Sequence, residues 1–355
     1  MHVAVDANVL EAAWGGIPKH LHRVASELVA AGDRVDLLVN LRSWESPVAG
    51  ANAVPLRMRG RGLWRDVAVP LWARRHRPDV LWAPETVLPR RAGVPTVVTV
   101  HDLAPLIFPQ SKPPRVERQF RTAIPRSVRA ATRVICVSDA TAGEVSGRWG
   151  VEHVDVIGNG VDDRFAPGDA QAERRWASAT FGLELPFVLH VGSLEPRKGL
   201  DVLIAAAARA ADWELVLAGQ PGHEGERILE VAREVGARWL PDVDDEALAR
   251  LYRAARVVAV PSLYEGFGIV PLEAMASGTP VAVAAGAGAL GEVAGDAAIQ
   301  VTERSGEAWQ AGIAAASERR AELVEAGLKR AASHRWPQVA AAVRAVLAEA
   351  AAGKR

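Results

Sequence analysis

Cysteine is nearly absent from this sequence of 355 residues, because Cys136 is the only one. A single cysteine cannot form a disulfide within the chain. Its position in the apolar run at residues 134–137 indicates a small core side chain rather than a catalytic thiol. Long apolar runs are also absent, since none reaches the roughly 18–20 residues that a helix needs to cross a bilayer. The sequence therefore predicts no transmembrane helix.

A signal peptide has no room before the first predicted strand, which starts at His2. We therefore expect the chain to stay in the cytoplasm. The hydrophobic content of 49% and the charged content of 24% are typical of globular proteins, and 355 residues suit two domains of ordinary size. Solenoid repeats and low-complexity segments are absent as well, which leaves two similar halves.

Net charge is zero, but positive charge is concentrated in the first half. The stretch from Arg57 to Arg133 has sixteen Lys and Arg residues against five acidic residues. The first domain is therefore predicted to have a basic face. No nucleic-acid partner is predicted.

This basic stretch suggests docking on an anionic membrane surface, at the inner face of the cell membrane. Apolar residues recur at every fourth position of one segment, which is typical of an amphipathic helix. Trp64 and Trp72 lie in a second arginine-rich segment and suit a lipid headgroup region. The alternative is that the apolar residues pack on the domain core. The apolar residues of the first segment are Val116, Phe120, Ile124 and Val128, and the arginines of both segments are Arg57, Arg59, Arg61, Arg65, Arg74, Arg75, Arg115, Arg118, Arg126, Arg129 and Arg133.

Apolar runs alternate with helical stretches in both halves, which predicts two doubly wound parallel sheets in an α/β fold. Residues 165–169 interrupt this alternation and form the predicted linker. Two such sheets that face each other would make one central cleft at the carboxyl ends of their strands. The apolar runs of the predicted strands lie at residues 3–5, 35–39, 80–82, 97–100 and 134–137 in the first half and at 187–191, 215–217, 257–260, 281–283 and 297–301 in the second.

The loop at residues 261–268 has the composition of an anion site. It follows the apolar strand at 257–260 and precedes a helix with Pro271 in its first turns, where proline is tolerated. Gly266 and Gly268 let the backbone approach a ligand, and free N–H groups at the helix start suit a phosphate. Glu265 and Glu273 flank the loop. A carboxylate can accept two hydrogen bonds from a diol. Backbone N–H groups that bind a phosphate, placed between two carboxylates, therefore indicate a nucleotide sugar.

The segment from Glu265 to Glu273 resembles the E-x7-E signature of retaining glycosyltransferases of family 4. Other segments match that family in the same order, so the resemblance covers nearly the whole chain. These segments are Gly15-Gly16-Ile17, Val100-His101-Asp102, Val137-Ser138, Asn159-Gly160-Val161-Asp162, Val191 to Gly199 and Leu251-Tyr252-Arg253-Ala254-Ala255.

The resemblance implies the GT-B fold, in which two Rossmann-like domains face a central cleft. It places an acceptor-binding domain at residues 1–165 and a nucleotide-sugar-binding domain at 166–335, followed at 336–355 by a helix that crosses back to the first domain. It also implies that Glu273 holds the ribose hydroxyls of the donor and that Glu265 contacts the transferred sugar. Four backbone N–H groups would hold sugar hydroxyls and phosphates, those of Phe267, Gly268, Ile269 and Val270.

Lys198 lies in a turn after the strand at 187–191. With Arg197, it is predicted to stabilise the negative charge that forms on the leaving diphosphate. Some family members have a phosphate-binding arginine where this chain has Ser193, so charge stabilisation here depends more on Lys198, Arg197 and the helix dipole. Family members use the histidine at the position of His101 against the donor sugar.

Gly15 and Gly16 follow the first strand. The resemblance implies a loop there that closes on the donor phosphate and borders the acceptor, and a simple turn is the alternative. Asp102 follows His101 at the strand end and is assigned to the acceptor side. His20 is a candidate acceptor contact, with a surface histidine as the alternative.

Two patterns imitate other kinds of site. Asp242 and Asp244 form a D-x-D pattern, as in the metal site of other glycosyltransferases, but they fit a loop and helix N-cap better, so no metal is predicted. In related mannosyltransferases this loop lies at the base, which makes Asp245 a candidate for guanine recognition. Residues 286–291 fit G-x-G-x-x-G, yet the next strand follows too soon for a crossover helix, which argues against a dinucleotide site.

These expectations describe a metal-independent, retaining glycosyltransferase without a cofactor. It would move a hexose, with mannose from GDP-mannose as the best candidate, to a carbohydrate or lipid-linked acceptor. Because no general base is evident beside the loop, the departing phosphate oxygen is expected to take the acceptor's proton. Two alternatives are a GT-B nucleotide-sugar epimerase and a sugar-nucleotide-binding protein without catalysis. Intact Glu265, Glu273 and Lys198 argue against the latter.

Overall fold

The computed structural model describes residues 1–11, 15–109, 114–184 and 186–353, with residues 114 and 115 described by their backbone alone. The chain divides into two compact units. The first consists of Met1–Ile107, Pro113–Gly160 and Trp336–Arg355, and the second of Phe108–Lys112 and Val161–Arg335.

The first unit is built on a seven-stranded parallel sheet. Its strands are β1 (His2–Asp6), β2 (Arg34–Val39), β3 (Asn52–Pro55), β4 (Val80–Ala83), β5 (Thr96–Val100), β6 (Arg133–Cys136) and β7 (Asp155–Val156). They are arranged in the order β3-β2-β1-β4-β5-β6-β7. The order reverses between β1 and β4, so the carboxyl ends of these two strands form the switch point where open α/β sheets bind ligands.

Helices cover both faces of this sheet, as buried parallel strands require. The helices are α1 (Gly16–Ala30), α2 (Arg61–Leu63), a π-helical turn (Trp64–Ala68), α3 (Val69–His76), α4 (Ala104–Ile107), α5 (Pro114–Ala130), α6 (Asp139–Trp149) and the C-terminal α15 (Trp336–Ala352). One core cluster joins Leu28 of α1 and Val343 of α15 to Val5 and Trp82 of the sheet. On the other face, Ile124 of α5 packs in a second cluster that contains Cys136. The prediction that Cys136 is a core residue is confirmed, and burial raises the pKa of its thiol to about 12.

The second unit repeats the arrangement with six parallel strands. They are β8 (Phe187–Val191), β9 (Glu214–Ala218), β10 (Arg238–Leu240), β11 (Val257–Val260), β12 (Val281–Ala284) and β13 (Ile299–Val301). The order is β10-β9-β8-β11-β12-β13, with the switch point between β8 and β11. The helices are α7 (Ala170–Phe181), α8 (Leu200–Ala207), α9 (Gly225–Glu234), α10 (Asp245–Ala254), α11 (Ile269–Ala276), α12 (Leu290–Ala294), α13 (Gly306–Glu318) and α14 (Arg320–Ala332).

The predicted fold class, two doubly wound parallel sheets, is confirmed. Three short strands were not predicted, β3, β7 and β10, and all three carry half-exposed or exposed residues rather than buried apolar runs. Phe165, which the sequence analysis places in a linker, is buried in the second unit against the ring of Tyr252. Within the described part of the chain, no helix has the length and apolar character needed to span a membrane.

Candidate functional site

The switch point of the second sheet brings the loop after β8 and the loop after β11 together. The first loop ends in a short 3-10 turn, Pro196–Lys198, and the second leads into α11. A backbone hydrogen bond of 2.8 Å from Leu263 N to Arg197 O joins the two loops. Residues far apart in sequence therefore meet at the sheet edge where an α/β protein binds its ligand.

Glu265 lies at the centre of this edge and is held by three side chains. Lys198 Nζ donates to Glu265 Oε1 at 2.6 Å, and Ser262 Oγ donates to the same oxygen at 2.6 Å. Arg197 Nη1 is 3.4 Å from the other carboxylate oxygen and donates to the carbonyl of Tyr264 at 2.8 Å. The structure thus brings together Glu265, Lys198 and Arg197, which the sequence analysis predicted separately.

The charge state of Glu265 follows from these contacts. Burial raises the pKa of its carboxyl, but the charges of Lys198 and Arg197 and the hydrogen bonds from Lys198 and Ser262 outweigh burial, so the pKa lies below its ordinary value. Both cations are largely buried, with 13% of the Lys198 side chain and 12% of the Arg197 side chain exposed. Glu195 Oε2 lies 3.8 Å from Arg197 Nη2, so the site holds two positive charges and two carboxylates in a poorly solvated setting.

Two glycines allow the close backbone contacts that build this edge. A Cβ on Gly199, whose φ is 66°, would lie 2.2 Å from the carbonyl oxygen of Pro261. A Cβ on Gly288, whose φ is 62°, would lie 2.4 Å from the carbonyl oxygen of Glu265. The glycine-rich loop at 286–291 therefore packs its backbone against Glu265, a role that the G-x-G-x-x-G pattern did not indicate.

The N-terminus of α11 follows directly. Gly268 precedes the helix with a φ of 115°, in the region that favours glycine, and no side chain caps the helix. The N–H groups of Ile269 and Val270 lie in the first turn, where no intrahelical carbonyl can accept from them. Together with the positive end of the helix dipole, they form an anion-binding arrangement beside Lys198 and Glu265.

Glu273 is one turn further along α11 and is buried, with 5% of its surface exposed. The hydroxyl of Tyr252 on α10 donates to Glu273 Oε2 at 3.1 Å. Burial, and then the charge of Glu273, raise the pKa of Tyr252 well above its ordinary value, so the hydroxyl remains a donor. One oxygen of Glu273 is thus fixed by a residue of the neighbouring helix.

His190, in β8, is a residue of this edge that sequence reasoning missed. It is buried, Nδ1 is 3.1 Å from the carbonyl oxygen of Ala259, and Nε2 has no hydrogen-bond partner among the described residues. Burial, and then the charge of Lys198, lower its pKa to about 4. A histidine near the carboxyl end of an otherwise apolar strand is the signal that could have found it.

The acidic loop before α10 is a loop and N-cap, as predicted. Asp244 accepts from the N–H of Ala247 at 2.8 Å, and Asp242 accepts from the side chain of Gln220 at 2.6 Å. Asp245 is the first residue of α10, and its carboxylate lies 3.8 Å from Arg164. The residue chosen for guanine recognition therefore already faces a guanidinium group.

His101 and His20 meet in the first unit. The rings lie 5.0 Å apart edge to face, and His20 Nδ1 is 2.8 Å from the amide oxygen of Asn159. Burial lowers the pKa of His20 to about 4. Burial, and then the charge of the nearby His20, lower the pKa of His101 well below its ordinary value, so both rings are neutral at pH 7. Since His20 has no exposed surface, the surface alternative is wrong, and a direct acceptor contact does not fit this structure either.

The remaining first-unit residues of the prediction lie at loop ends. Gly15, with a φ of 137°, precedes α1 as its N-cap, and Gly16 is the first residue of that helix. Asp102 follows β5, and its Oδ1 accepts from the N–H of Ala104 at 2.9 Å, which stabilises the start of α4. All three follow the carboxyl ends of their strands.

The predicted membrane-facing residues are largely core residues. Trp64 and Trp72 have 0% and 7% of their surface exposed, so the prediction that they suit a headgroup region is wrong. Ile124 and Val128 are buried too, as the alternative held. Three of the arginines bind protein groups: Arg126 donates to Leu88 O, Arg129 to Trp149 O and Arg133 to Asp155. Lys112 and the side chain of Arg115 lie outside the described residues.

Two protein families match the chain, one in each half. Residues 14–165 match the family described as Glycosyltransferase Family 4, and residues 175–332 match Glycosyl transferases group 1. A protein named D-inositol 3-phosphate glycosyltransferase from Salinispora tropica is 38% identical over 220 residues, which are 55% of this chain and 46% of that protein. A protein of the same name from Mycobacterium sp. (strain KMS) is 42% identical over 143 residues, 37% of this chain and 32% of that protein. The chain thus spans less than half the length of these curated relatives.

Solved structures match nearly the whole chain. Sucrose-phosphate synthase from Thermosynechococcus elongatus superposes with a TM-score of 0.79 at 22% identity and covers 99% of both chains. WaaG, a glycosyltransferase involved in lipopolysaccharide biosynthesis, gives 0.75 at 18% identity, with 97% of this chain and 99% of that chain covered. HepE from Anabaena, in complex with UDP-glucose, gives 0.74 at 19% identity, with 98% and 99% covered. At such identities the likeness shows the fold, which is that of GT-B glycosyltransferases.

Proposed function

Because the chain belongs to the family 4-like glycosyltransferases of GT-B fold, we propose that it transfers a hexose from a nucleotide sugar, with retention and without a metal ion. The acceptor is a carbohydrate or a lipid-linked sugar. The observation that carries this proposal is the cluster of Glu265, Lys198 and Arg197 at the switch point of the second sheet, beside the N-terminus of α11. Cations and free N–H groups at one edge are what a diphosphate requires.

In the proposed mechanism, the diphosphate binds to Lys198, Arg197 and the first turn of α11. The bond between the sugar C1 and the phosphate oxygen breaks as an acceptor hydroxyl oxygen attacks C1 from the same face. The departing phosphate oxygen takes the acceptor's proton, and the nucleoside diphosphate leaves. Lys198 and Arg197 stabilise the charge that forms on that oxygen, and Glu265 keeps both cations in place for it.

Glu273 is proposed to bind the ribose of the donor. Its carboxylate accepts from Tyr252, and a carboxylate can accept several hydrogen bonds, as the hydroxyl groups of a ribose require. The side chain of His101, held by a hydrogen bond to the backbone of Pro84, is proposed to contact the donor sugar as a neutral imidazole. Gly15 and Gly16 are proposed to form a loop that closes on the donor phosphate and borders the acceptor, and Asp102 is proposed to lie on the acceptor side.

The identity of the donor is the finer part of the proposal. GDP-mannose is the sequence-based expectation, although Asp245 faces Arg164. HepE, a neighbour of the same fold, is described in complex with UDP-glucose. The donor panel for a test is therefore GDP-mannose and UDP-glucose, with UDP and GDP as binding controls.

The test measures three products from each donor: the nucleoside diphosphate, the free sugar and an isomerised donor. We expect release of the nucleoside diphosphate from one donor, with Lys198→Met about 100- to 1000-fold slower, as for loss of one donor to an oxyanion. Lys329→Met, an exposed lysine of the same unit, is the matched control. Isomerised donor without release would support the epimerase alternative, and nucleotide binding without either product would support a binding protein.

The face that we propose for membrane docking differs from the predicted one. Leu63, Val67 and Leu71 follow each other at helical spacing with 55%, 38% and 63% of their surfaces exposed. Arg59, Arg74 and Arg75 are exposed at the two ends of this stripe, which suits an anionic bilayer. We expect sedimentation with vesicles that contain anionic lipid, and its loss when Leu63 and Leu71 become Ser. Equal sedimentation with neutral and anionic vesicles would contradict docking on an anionic membrane.

A further inference from the structure

The switch point of the first sheet carries a second group of charged side chains, which no family resemblance assigned. Asp6 is the last residue of β1, and Glu85 lies two residues after the end of β4. Arg61 and Arg65 reach them from the helical segment that follows β3. The carboxyl ends of β1 and β4 form the place in an open α/β sheet where ligands bind.

A π-helical turn directs Arg65 toward this place. The turn spans Trp64–Ala68, between α2 and α3, and such single turns are frequent at functional sites. Trp64 is fully buried in a core cluster with Trp72 and Leu81, which anchors the turn. Arg65, the next residue, has only 14% of its side chain exposed and faces Asp6.

The four charged side chains are close to each other but incompletely hydrogen-bonded. Arg65 Nε lies 3.8 Å from Asp6 Oδ2, and Arg61 Nη2 lies 3.5 Å from Glu85 Oε2. The first distance is too long for a hydrogen bond and the second is at the limit. Arg65 Nε is buried and has no hydrogen-bond partner among the described residues. Buried polar groups are normally satisfied, so this donor is able to bind a hydroxyl oxygen of a ligand.

Glu85 is fixed by an unusual backbone conformation at the next residue. Thr86 has a φ of 66°, in the left-handed region that β-branched residues avoid. Its hydroxyl donates to the carbonyl of Thr99 at 2.5 Å, and Trp82 Nε1 donates to the Thr99 hydroxyl at 2.9 Å. Such strain persists where the surrounding structure enforces it, and it is concentrated at ligand sites.

We propose that Asp6, Arg61, Arg65 and Glu85 bind neighbouring hydroxyl groups of a polyhydroxylated ring, the acceptor of the transfer. This inference rests on the proposed function. Each hydroxyl group of a diol can donate a hydrogen bond to a carboxylate and accept one from a guanidinium group, and the cluster offers both kinds of partner. The two positive and two negative charges balance, which favours uncharged ring hydroxyls over a phosphate group as the part of the acceptor bound here.

The charge environment agrees with this assignment. Burial raises the pKa of Glu85, and burial lowers the pKa of Arg65, so both ions lack the solvation that they would have in water. Hydroxyl groups of a ligand would restore part of this solvation. A cluster left in this state contributes little to stability, since a buried pair without good hydrogen bonds does not offset its desolvation.

The test uses saturation-transfer NMR of the full chain with three probes: myo-inositol, methyl α-D-mannopyranoside and D-inositol 3-phosphate. The variants are Glu85→Gln and Arg65→Lys, both conservative in volume, and their thermal unfolding shows whether they fold. The matched controls are Glu152→Gln and Arg42→Lys, exposed residues of the same unit. We expect the wild type and both controls to bind at least one polyol and each site variant to bind it roughly 10- to 100-fold more weakly.

A second readout separates this inference from the proposed function. Release of nucleoside diphosphate by the wild type, with water as acceptor, needs the second unit's cluster and tests the proposed function alone. In the transfer reaction, both variants should raise the KM of the acceptor and leave the KM of the donor as it is. Unchanged polyol affinity in folded variants, or no polyol binding by the wild type, would overturn the inference. Failure of the wild type to release nucleoside diphosphate would refute the proposed function instead.

Discussion

The ion pairs of Glu265 predict a stability change that can be measured without any substrate. Glu265→Gln removes the negative charge that faces Lys198 at 2.6 Å and Arg197 at 3.4 Å. Loss of one partner from a buried ion pair costs about 3–5 kcal/mol, because the other charge stays desolvated. The two cations here keep some access to water, so we expect the lower end, about 3 kcal/mol at pH 7.

The pH dependence has a definite sign. The folded state depresses the pKa of Glu265 below its ordinary value of 4.5, so it binds this proton more weakly than the unfolded chain. The ion pairs therefore contribute their full stability above pH 4.5 and lose it as the pH falls through the folded-state pKa. The difference in unfolding free energy between wild type and Glu265→Gln should shrink by up to about 1.4 kcal/mol per pH unit between pH 4.5 and the folded-state pKa.

Urea unfolding, followed by tryptophan fluorescence at a series of pH values, measures this difference. Glu318→Gln, at an exposed position of α13, is the matched control and should change the free energy of unfolding by less than about 0.5 kcal/mol. The reasoning fails if Glu265→Gln costs less than about 1 kcal/mol at pH 7. It fails equally if the cost is the same at pH 7 and well below pH 4.5.

Three further predictions concern the donor site. Glu273→Ala should weaken nucleotide binding about ten- to a hundred-fold in calorimetry. Tyr252→Phe removes only the internal hydrogen bond of 3.1 Å and should weaken that binding far less. Equal effects of the two variants would mean that Glu273 acts through packing and not through contact with the nucleotide. Sugar transfer should continue in the presence of EDTA. If EDTA abolishes transfer and magnesium or manganese restores it, Asp242 and Asp244 become candidate metal ligands. Gly199→Ala should destabilise the protein by more than about 2 kcal/mol, since its Cβ would lie 2.2 Å from Pro261 O. Gly236 has a φ of 76° and no atom within 4 Å of the position that a Cβ would take, so the control Gly236→Ala should cost about 1 kcal/mol. Similar costs for the two variants would refute the argument from the close contact with Pro261.

Short apolar runs made most of the fold predictable from the sequence. β8 and β11 have the bounds that their apolar residues indicated, because buried parallel strands consist largely of apolar side chains. The edge strands β3, β7 and β10 carry polar and exposed residues, so nothing in their composition separates them from loops. The prediction that Trp64 and Trp72 face a membrane was wrong for a similar reason, because sequence spacing alone does not tell which face of a helix packs on the core.

The loop at residues 261–268 was predictable, but its interactions were not. The E-x7-E spacing and two glycines located Glu265 and Glu273, since helix starts and glycine loops have local signatures. The salt bridge of Glu265 with Lys198 depends on the packing of two loops 67 residues apart, which no local pattern encodes. The same limitation hid the burial of His20 and the cluster at Arg65, because both arise only where β1 and β4 meet their neighbouring helices.

The place of α15 has a consequence for synthesis on the ribosome. This last helix supplies Trp336, Val343 and Leu347 to the core that also contains Val3, Val5 and Trp82. The first unit therefore stays incomplete while residues 161–335 are made, roughly 10–35 s at 5–20 residues per second. During that interval the second unit, which is continuous in this stretch, can fold alone, and the nascent first unit exposes the apolar surface that α15 later covers. The N-terminal half of the chain is thus expected to be the last part to become native.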